Sequence, residues 1–165
     1  MATKALAAYE RATPLLPASE QLTLLEELAY HAYIAGQLNK AWDYSEKLLM
    51  AVEEGPTAGV MAHLGYTISG LVILDLKNVR AAKEFLSASL SCLTDRSSDV
   101  SELPDRSKVL SGYLIYSLIE AGEIAAVRQF IDEAAPYLGP VAVEANNWLE
   151  TAAKGLGPGS EGSEN

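Results

Sequence analysis

Apolar residues recur at three- and four-residue spacing along almost the whole chain, and strict alternation persists nowhere. That period predicts helices throughout. From Ser19, the residues Leu22, Leu25, Leu28, Ala29 and Ala32 form one stripe that ends near Gly36. Ser19 suits an N-cap, and Glu20 suits the positive end of the helix dipole. A partner helix follows from about Leu38 to Glu53, and Gly55-Pro56 stops it. The next pair starts near Thr57, with Val60, Leu64, Ile68, Leu71 and Val72 apolar, and continues as Val79 to Leu93 behind an Asn78 cap. Thr94 to Asp105 is polar and reads as an exposed loop. A third pair takes Arg106 to Ala121, turns at Gly122 and runs to Tyr137. Before the pairs lies a helix over Thr3 to Thr13, broken by Pro14 and Pro17. After them Gly139-Pro140 opens a last helix to about Lys154, with Pro where helix starts allow it. The remainder, Gly155 to Asn165, is Gly, Ser, Pro and Glu with a single Leu, and disorder is expected there.

One short pattern occurs three times. Gly36 is followed by Leu38, Ala41 and Tyr44; Lys77 by Val79, Ala82 and Phe85; Gly122 by Ile124, Val127 and Phe130. Each is a turn residue, then an aliphatic, then a small or β-branched residue, then an aromatic. The aliphatic residues would open the second helix of each pair. The small residues would lie where two helices approach closely. Fixed-period self-similarity in a helical chain marks stacked helix pairs, because one pair cannot bury its apolar face alone.

The pattern resembles the tetratricopeptide repeat (TPR), although Lys77 stands where the family has a turn glycine and Val127 where it has a small residue. Leu28-Ala29, Ser69-Gly70 and Leu114-Ile115 occupy the family's Leu-Gly pair. The turn positions lie 41 and 45 residues apart, against about 34 in the family and roughly 40–47 in HEAT-like repeats. The excess falls in the connections Glu53 to Thr57 and Thr94 to Asp105. The resemblance implies an all-α fold: a right-handed stack of about three antiparallel helical hairpins, a TPR-like α-solenoid, with a flanking helix at each end. Residues 1–154 then form a single domain. A closed helical bundle is the alternative architecture.

Charge and composition narrow the function. A hydrophobic fraction of 49% excludes wholesale disorder. The net charge of −10, from 22 acidic and 12 basic residues, opposes nucleic-acid and anionic-membrane binding. The only helical cluster of basic residues, Lys77, Arg80 and Lys83, reads as a solvated face. The most apolar stretch, Gly65 to Leu76, is broken by Thr67 and Ser69, so no membrane span is expected. The lone Cys92 sits among Leu90, Leu93 and Phe85 and reads as a small buried hydrophobe; with no disulfide possible within the chain, a reducing cytoplasmic location is expected. Catalysis lacks support. His31 and His63 occupy non-equivalent positions, no metal-ligand spacing occurs, and the adjacent acids Glu26-Glu27, Glu53-Glu54 and Asp132-Glu133 diverge by about 100 degrees on a helix. Neither enzyme activity nor a cofactor is expected.

In the resembled family the first helices of each pair line a concave groove. Carried onto this chain, that places Thr23, Glu26, Tyr30 and Tyr33 in the groove from the first pair. The second pair adds Thr67, Leu71 and Leu74, and the third adds Gly112, Tyr116 and Ile119. Tyr30 and Tyr116 each stand six residues before their turn glycine. Tyrosine joins a large apolar face to a polar end and is enriched at binding hot spots; packing between hairpins is the alternative use of these rings. The expectation is an adaptor that takes a peptide or helix of a partner protein, with Glu26 and Glu120 favouring a neutral or basic one. The last helix carries Val141, Ala145, Trp148, Leu149 and Ala152 on one stripe. It either caps the stack or, as a structural module, joins copies into a homo-oligomer.

Overall fold

At three places the chain turns on a residue of positive φ: 75° at Gly36, 65° at Lys77 and 88° at Gly122. The hydrogen bonds around each are the same. The amide of the positive-φ residue donates to the carbonyl three back, and the next amide donates to the carbonyl five back. These bonds are Gly36 to Tyr33 (3.0 Å) and Gln37 to Ala32 (2.9 Å), Lys77 to Leu74 (2.8 Å) and Asn78 to Ile73 (3.1 Å), and Gly122 to Ile119 (2.9 Å) and Glu123 to Leu118 (3.0 Å). This is the Schellman closure, which satisfies carbonyls left over at a helix end. Lys77 therefore adopts the turn geometry of the glycines that stand at the other two positions.

The computed structural model describes residues 2–12, 18–52, 58–95 and 102–155. Among these it is all-helical, without strands: α1 (Ala2–Ala12), α2 (Ala18–Ile34), α3 (Leu38–Ala51), α4 (Ala58–Asp75), α5 (Val79–Thr94), α6 (Asp105–Glu120), α7 (Ile124–Leu138) and α8 (Pro140–Gly155). The expected boundaries hold within two residues, with small corrections. Helix α2 begins at Ala18, so Ser19 lies inside it rather than at its cap, and α8 extends through Gly155. The Asn78 side chain does cap α5, accepting from the Ala81 amide at 3.1 Å. Gly55-Pro56 and residues 156–165 of the tail lie outside the described residues.

The chain divides into two compact units, Met1–Val100 and Ser101–Asn165. In unit 1, α1 packs on α2, α2 on α3, α3 on α4, α4 on α5, and α2 also reaches α4. In unit 2, α6 packs on α7, α7 on α8, and α6 also on α8. The second helix of every pair buries the same register after its turn. Ala41, Ser45 and Leu48 match Ala82, Leu86, Ser89 and Leu93, and these match Val127, Ile131, Ala134 and Leu138. The expected close-crossing residues Ala41, Ala82 and Val127 are each 0% exposed. The aromatic three residues later is buried only at Phe130; Tyr44 and Phe85 sit half-buried at the stripe's margin.

Helix α4 departs most from the amphipathic expectation. Its apolar run extends back to Ala58, giving 18 residues, long and apolar enough to cross a membrane by length and composition alone. His63, Leu64, Gly65, Thr67, Ile68, Ser69, Gly70, Leu71 and Val72 are buried within it, as expected of a helix apolar on every side and surrounded by neighbours. It approaches α3 closely because Gly65 has no side chain: a Cβ there would stand 2.9 Å from Leu49 Cδ2. In unit 2 the loop preceding α6 supplies a core residue that its polar composition concealed. Leu103 is 3% exposed, and its amide donates to the Tyr137 carbonyl at 3.1 Å. That carbonyl needs a partner outside its helix because α7 ends at Gly139, which has φ of 56°.

The three turns predict their own energetics. An L side chain at positive φ costs roughly 1–2 kcal/mol, and an added Cβ at Gly36 or Gly122 meets nothing within 4 Å. Chemical denaturation should therefore show Gly36→Ala and Gly122→Ala each losing about 1 kcal/mol, and Lys77→Gly gaining a similar amount. Ser45 offers a second check, because its hydroxyl is buried with no hydrogen-bond partner among the described residues. Ser45→Ala should leave stability unchanged or raise it by up to about 1 kcal/mol in the same assay.

Candidate functional site

Exposed apolar side chains gather on one line of α6. Val109 is 43% exposed, Tyr113 50% and Tyr116 44%, and their spacing of four and three puts them on a single stripe. Asp105 and Glu120, both exposed, prolong the stripe at its two ends. The rest of α6 is committed to the core through Leu110, Leu114, Ile115, Leu118 and Ile119. The row is held rigid from the side by α8. Trp148 meets the Tyr116 ring edge-on, with centroids 5.3 Å apart, and a Cβ on Gly112 would come within 3.4 Å of Val141. The Glu120 carboxylate accepts from the Tyr116 hydroxyl and raises that phenol above its ordinary pKa. The result is a fixed aromatic surface with an acid at its C-terminal end.

The residues expected in a groove separate into two sets. Thr23 is exposed, and Glu26, Tyr30, Tyr33 and Leu74 are half-buried. Thr67, Leu71 and Ile119 are buried, at 1%, 5% and 8% exposure, so these three do not line a surface. For Thr67 and Leu71 the cause is the packing of α4 against α2, α3 and α5, which fills that face within the unit itself; Ile119 turns from α6 into the core. Among the groove candidates only Tyr116 belongs to the α6 row, because Ile119 turns inward there. Tyr113, which completes the row, was absent from the expectation. Its three-residue spacing from Tyr116 was the available signal.

Beside Tyr30 the surface of unit 1 is engaged internally. Tyr30 meets His31 edge-on at 5.2 Å, Tyr9 of α1 stacks on the same imidazole at 5.1 Å, and His31 Nε2 lies 3.3 Å from Glu27. Glu10 of α1 receives Lys40 Nζ at 3.0 Å and also accepts from Tyr44. The Lys40 bond holds Glu10 below the usual carboxylate range. Burial and the bond to Glu10 push the Tyr44 phenol up to about 12. The Trp148 stripe is likewise spent inside unit 2, with Ala145 and Leu149 buried. A homo-oligomer formed through that stripe would have to uncover it. The exposed residues of α8 are mostly polar or small, with Val143 the one large apolar side chain among them.

Burial dominates the surroundings of Cys92 and His63. The Cys92 thiol is pushed up to about 11 by burial and by Asp95, so it stays protonated. No group of three His, Cys, Asp or Glu that could hold a metal occurs among the described residues. His63 is fully buried, with Nδ1 3.1 Å from the Ser89 carbonyl and Nε2 3.4 Å from the Thr67 hydroxyl, which itself donates to the His63 carbonyl at 2.8 Å. A neutral imidazole with its proton on Nδ1 satisfies that carbonyl and links α4 to α5.

No family model, curated protein or solved structure matches the chain. The functional reading rests on the residues.

Burial lowers the His63 pKa from 6.5 to about 4. Between those values the unfolded chain binds the proton and the folded chain does not. Stability should therefore fall as pH drops through that window, by at most about 1.4 kcal/mol per pH unit. In urea denaturation from pH 7 to pH 4, His63→Gln should lose less stability than wild type; equal losses would remove His63 as the cause.

Proposed function

We propose that the chain is a non-catalytic protein-interaction module, an adaptor that presents the aromatic row of α6 to a partner protein. The observation that carries this reading is the exposure of Val109, Tyr113 and Tyr116 on one stripe of a helix whose other faces are buried. Apolar rings set rigidly at the surface at no benefit to the core are the usual composition of a binding hot spot. The absence of a metal-ligand cluster among the described residues and the protonated state of Cys92 favour binding over catalysis.

The scaffold belongs to the same proposal. Three turns of one geometry, three second helices buried in one register, and the packing of α2 on α4 support a repeat of tetratricopeptide type. In such a scaffold the second helices supply the packing, and the first helices supply the face presented outward. The acidic net charge of −10 keeps the module soluble and disfavours nucleic acid and anionic lipid.

The test uses the purified chain as bait in native lysate, with Tyr113→Ala/Val109→Ser beside it. Both positions are exposed, so circular dichroism and the thermal midpoint should stay near wild type. A stoichiometric partner should be held by the wild type and weakened at least tenfold by the double variant, since hot-spot truncation costs about 2 kcal/mol or more. Undiminished capture by the folded variant would remove the α6 row from the function.

A further inference from the structure

The two ends of the α6 row differ in charge, and that difference selects an occupant. At the N-terminal end the acids are already neutralised. Lys108, with a side chain only 13% exposed, sits 2.6 Å from Glu102 and 3.9 Å from Asp105, and Arg106 lies next to them. At the C-terminal end the balance differs: between Lys108 and Arg128 the sequence holds no Lys, Arg or His, while Glu120 falls in that interval. Glu120 is exposed, and after taking the Tyr116 hydroxyl its carboxylate still has acceptor capacity. The C-terminal end of α6 adds the negative end of the helix dipole. The rings Tyr113 and Tyr116 are thus followed, within about 10 Å along the helix, by the exposed Glu120 carboxylate.

We propose that the α6 row binds a partner segment in which an apolar anchor is followed by Lys or Arg, the anchor on Tyr113 and Tyr116 and the cation at Glu120. The inference rests on the reading of the row as a protein-binding surface, and it names the chemistry of what binds there. Apolar contact with the rings supplies affinity. The cation fixes the direction in which the segment lies, because its charge is matched at the Glu120 end and unmatched at the end that Lys108 occupies. A guanidinium reaching Glu120 also passes the Tyr116 ring, where a cation is favoured. A segment ending in carboxylates would meet Glu120 and the helix terminus unfavourably.

Three fluorescein-labelled ten-residue peptides test this by polarisation at low and physiological salt: one with leucine anchors followed by a Lys-Arg-Lys end, one with the same anchors and a Glu-Asp-Glu end, and one with the basic end and serine in place of the anchors. The first should bind at least tenfold tighter than either of the others. Tyr113→Ala should weaken it at least tenfold. Glu120→Gln, which keeps an acceptor for Tyr116, should weaken the first peptide severalfold and leave the second no weaker. If the basic and acidic peptides bind equally and both lose affinity in Tyr113→Ala, the row binds protein but the charge selection is overturned. If no peptide responds to Tyr113→Ala, the row itself fails as a binding surface and the proposal falls with it. Self-association by light scattering, abolished by Tyr113→Ala in the absence of peptide binding, would make the occupant a second copy and overturn the proposal.

Discussion

The left-handed residue that closes each turn is the constraint on which the rest depends. With Gly36, Lys77 or Gly122 at positive φ, the preceding helix ends in a Schellman closure and the next begins two residues later. That fixes the phase of the second helix relative to the first. Ala41, Ala82 and Val127 then arrive at the buried face in the same register, and so do the residues four and seven beyond them. The outward phase of the first helix follows too, because its stripe is counted back from the same turn. A one-residue shift at Gly122 would rotate Tyr116 by about 100 degrees relative to the helix that follows it.

Much of this order was legible. Eight helices could be read from apolar period and breakers, and their ends from Gly, Pro and Asn chemistry, as the Asn78 cap illustrates. The equivalence of the three turns was visible from Gly36 and Gly122, with Lys77 placed by register alone; that a lysine adopts positive φ there is dictated by the neighbouring helices, since its side chain gives no such signal. Leu103 was hidden by its polar surroundings, because a single apolar residue in a loop says nothing about the carbonyl it will satisfy.

The surface was read less well than the core, for a physical reason. Transferring one face to every first helix assumes that all of them are half-exposed. Leu64, Ile68 and Leu71 on one side of α4 and Leu49 against Gly65 on another show a helix buried over more than one face, as its apolar composition already indicated. In α6 the same transfer named Tyr116, which is exposed, and Ile119, which is buried, since the exposed line follows 109, 113, 116 and 120. Periodicity within a helix was therefore the better guide to its outer face than correspondence between helices. The buried His63 belongs to the core by the same logic: its polarity is absorbed by the Ser89 carbonyl and the Thr67 hydroxyl, and it has no surface on which to act.

What distinguishes the α6 row from the rest of the described surface is that unlike chemistry is combined on one line: two tyrosines, a valine and an exposed acid. Hydrogen–deuterium exchange of the full chain, alone and saturated with a captured partner, tests this most directly. The account predicts slowed exchange over residues 109–120 and at the Trp148 edge of α8, with unit 1 little changed. Protection confined to α2 and α3, with the α6 amides exchanging as before, would contradict it.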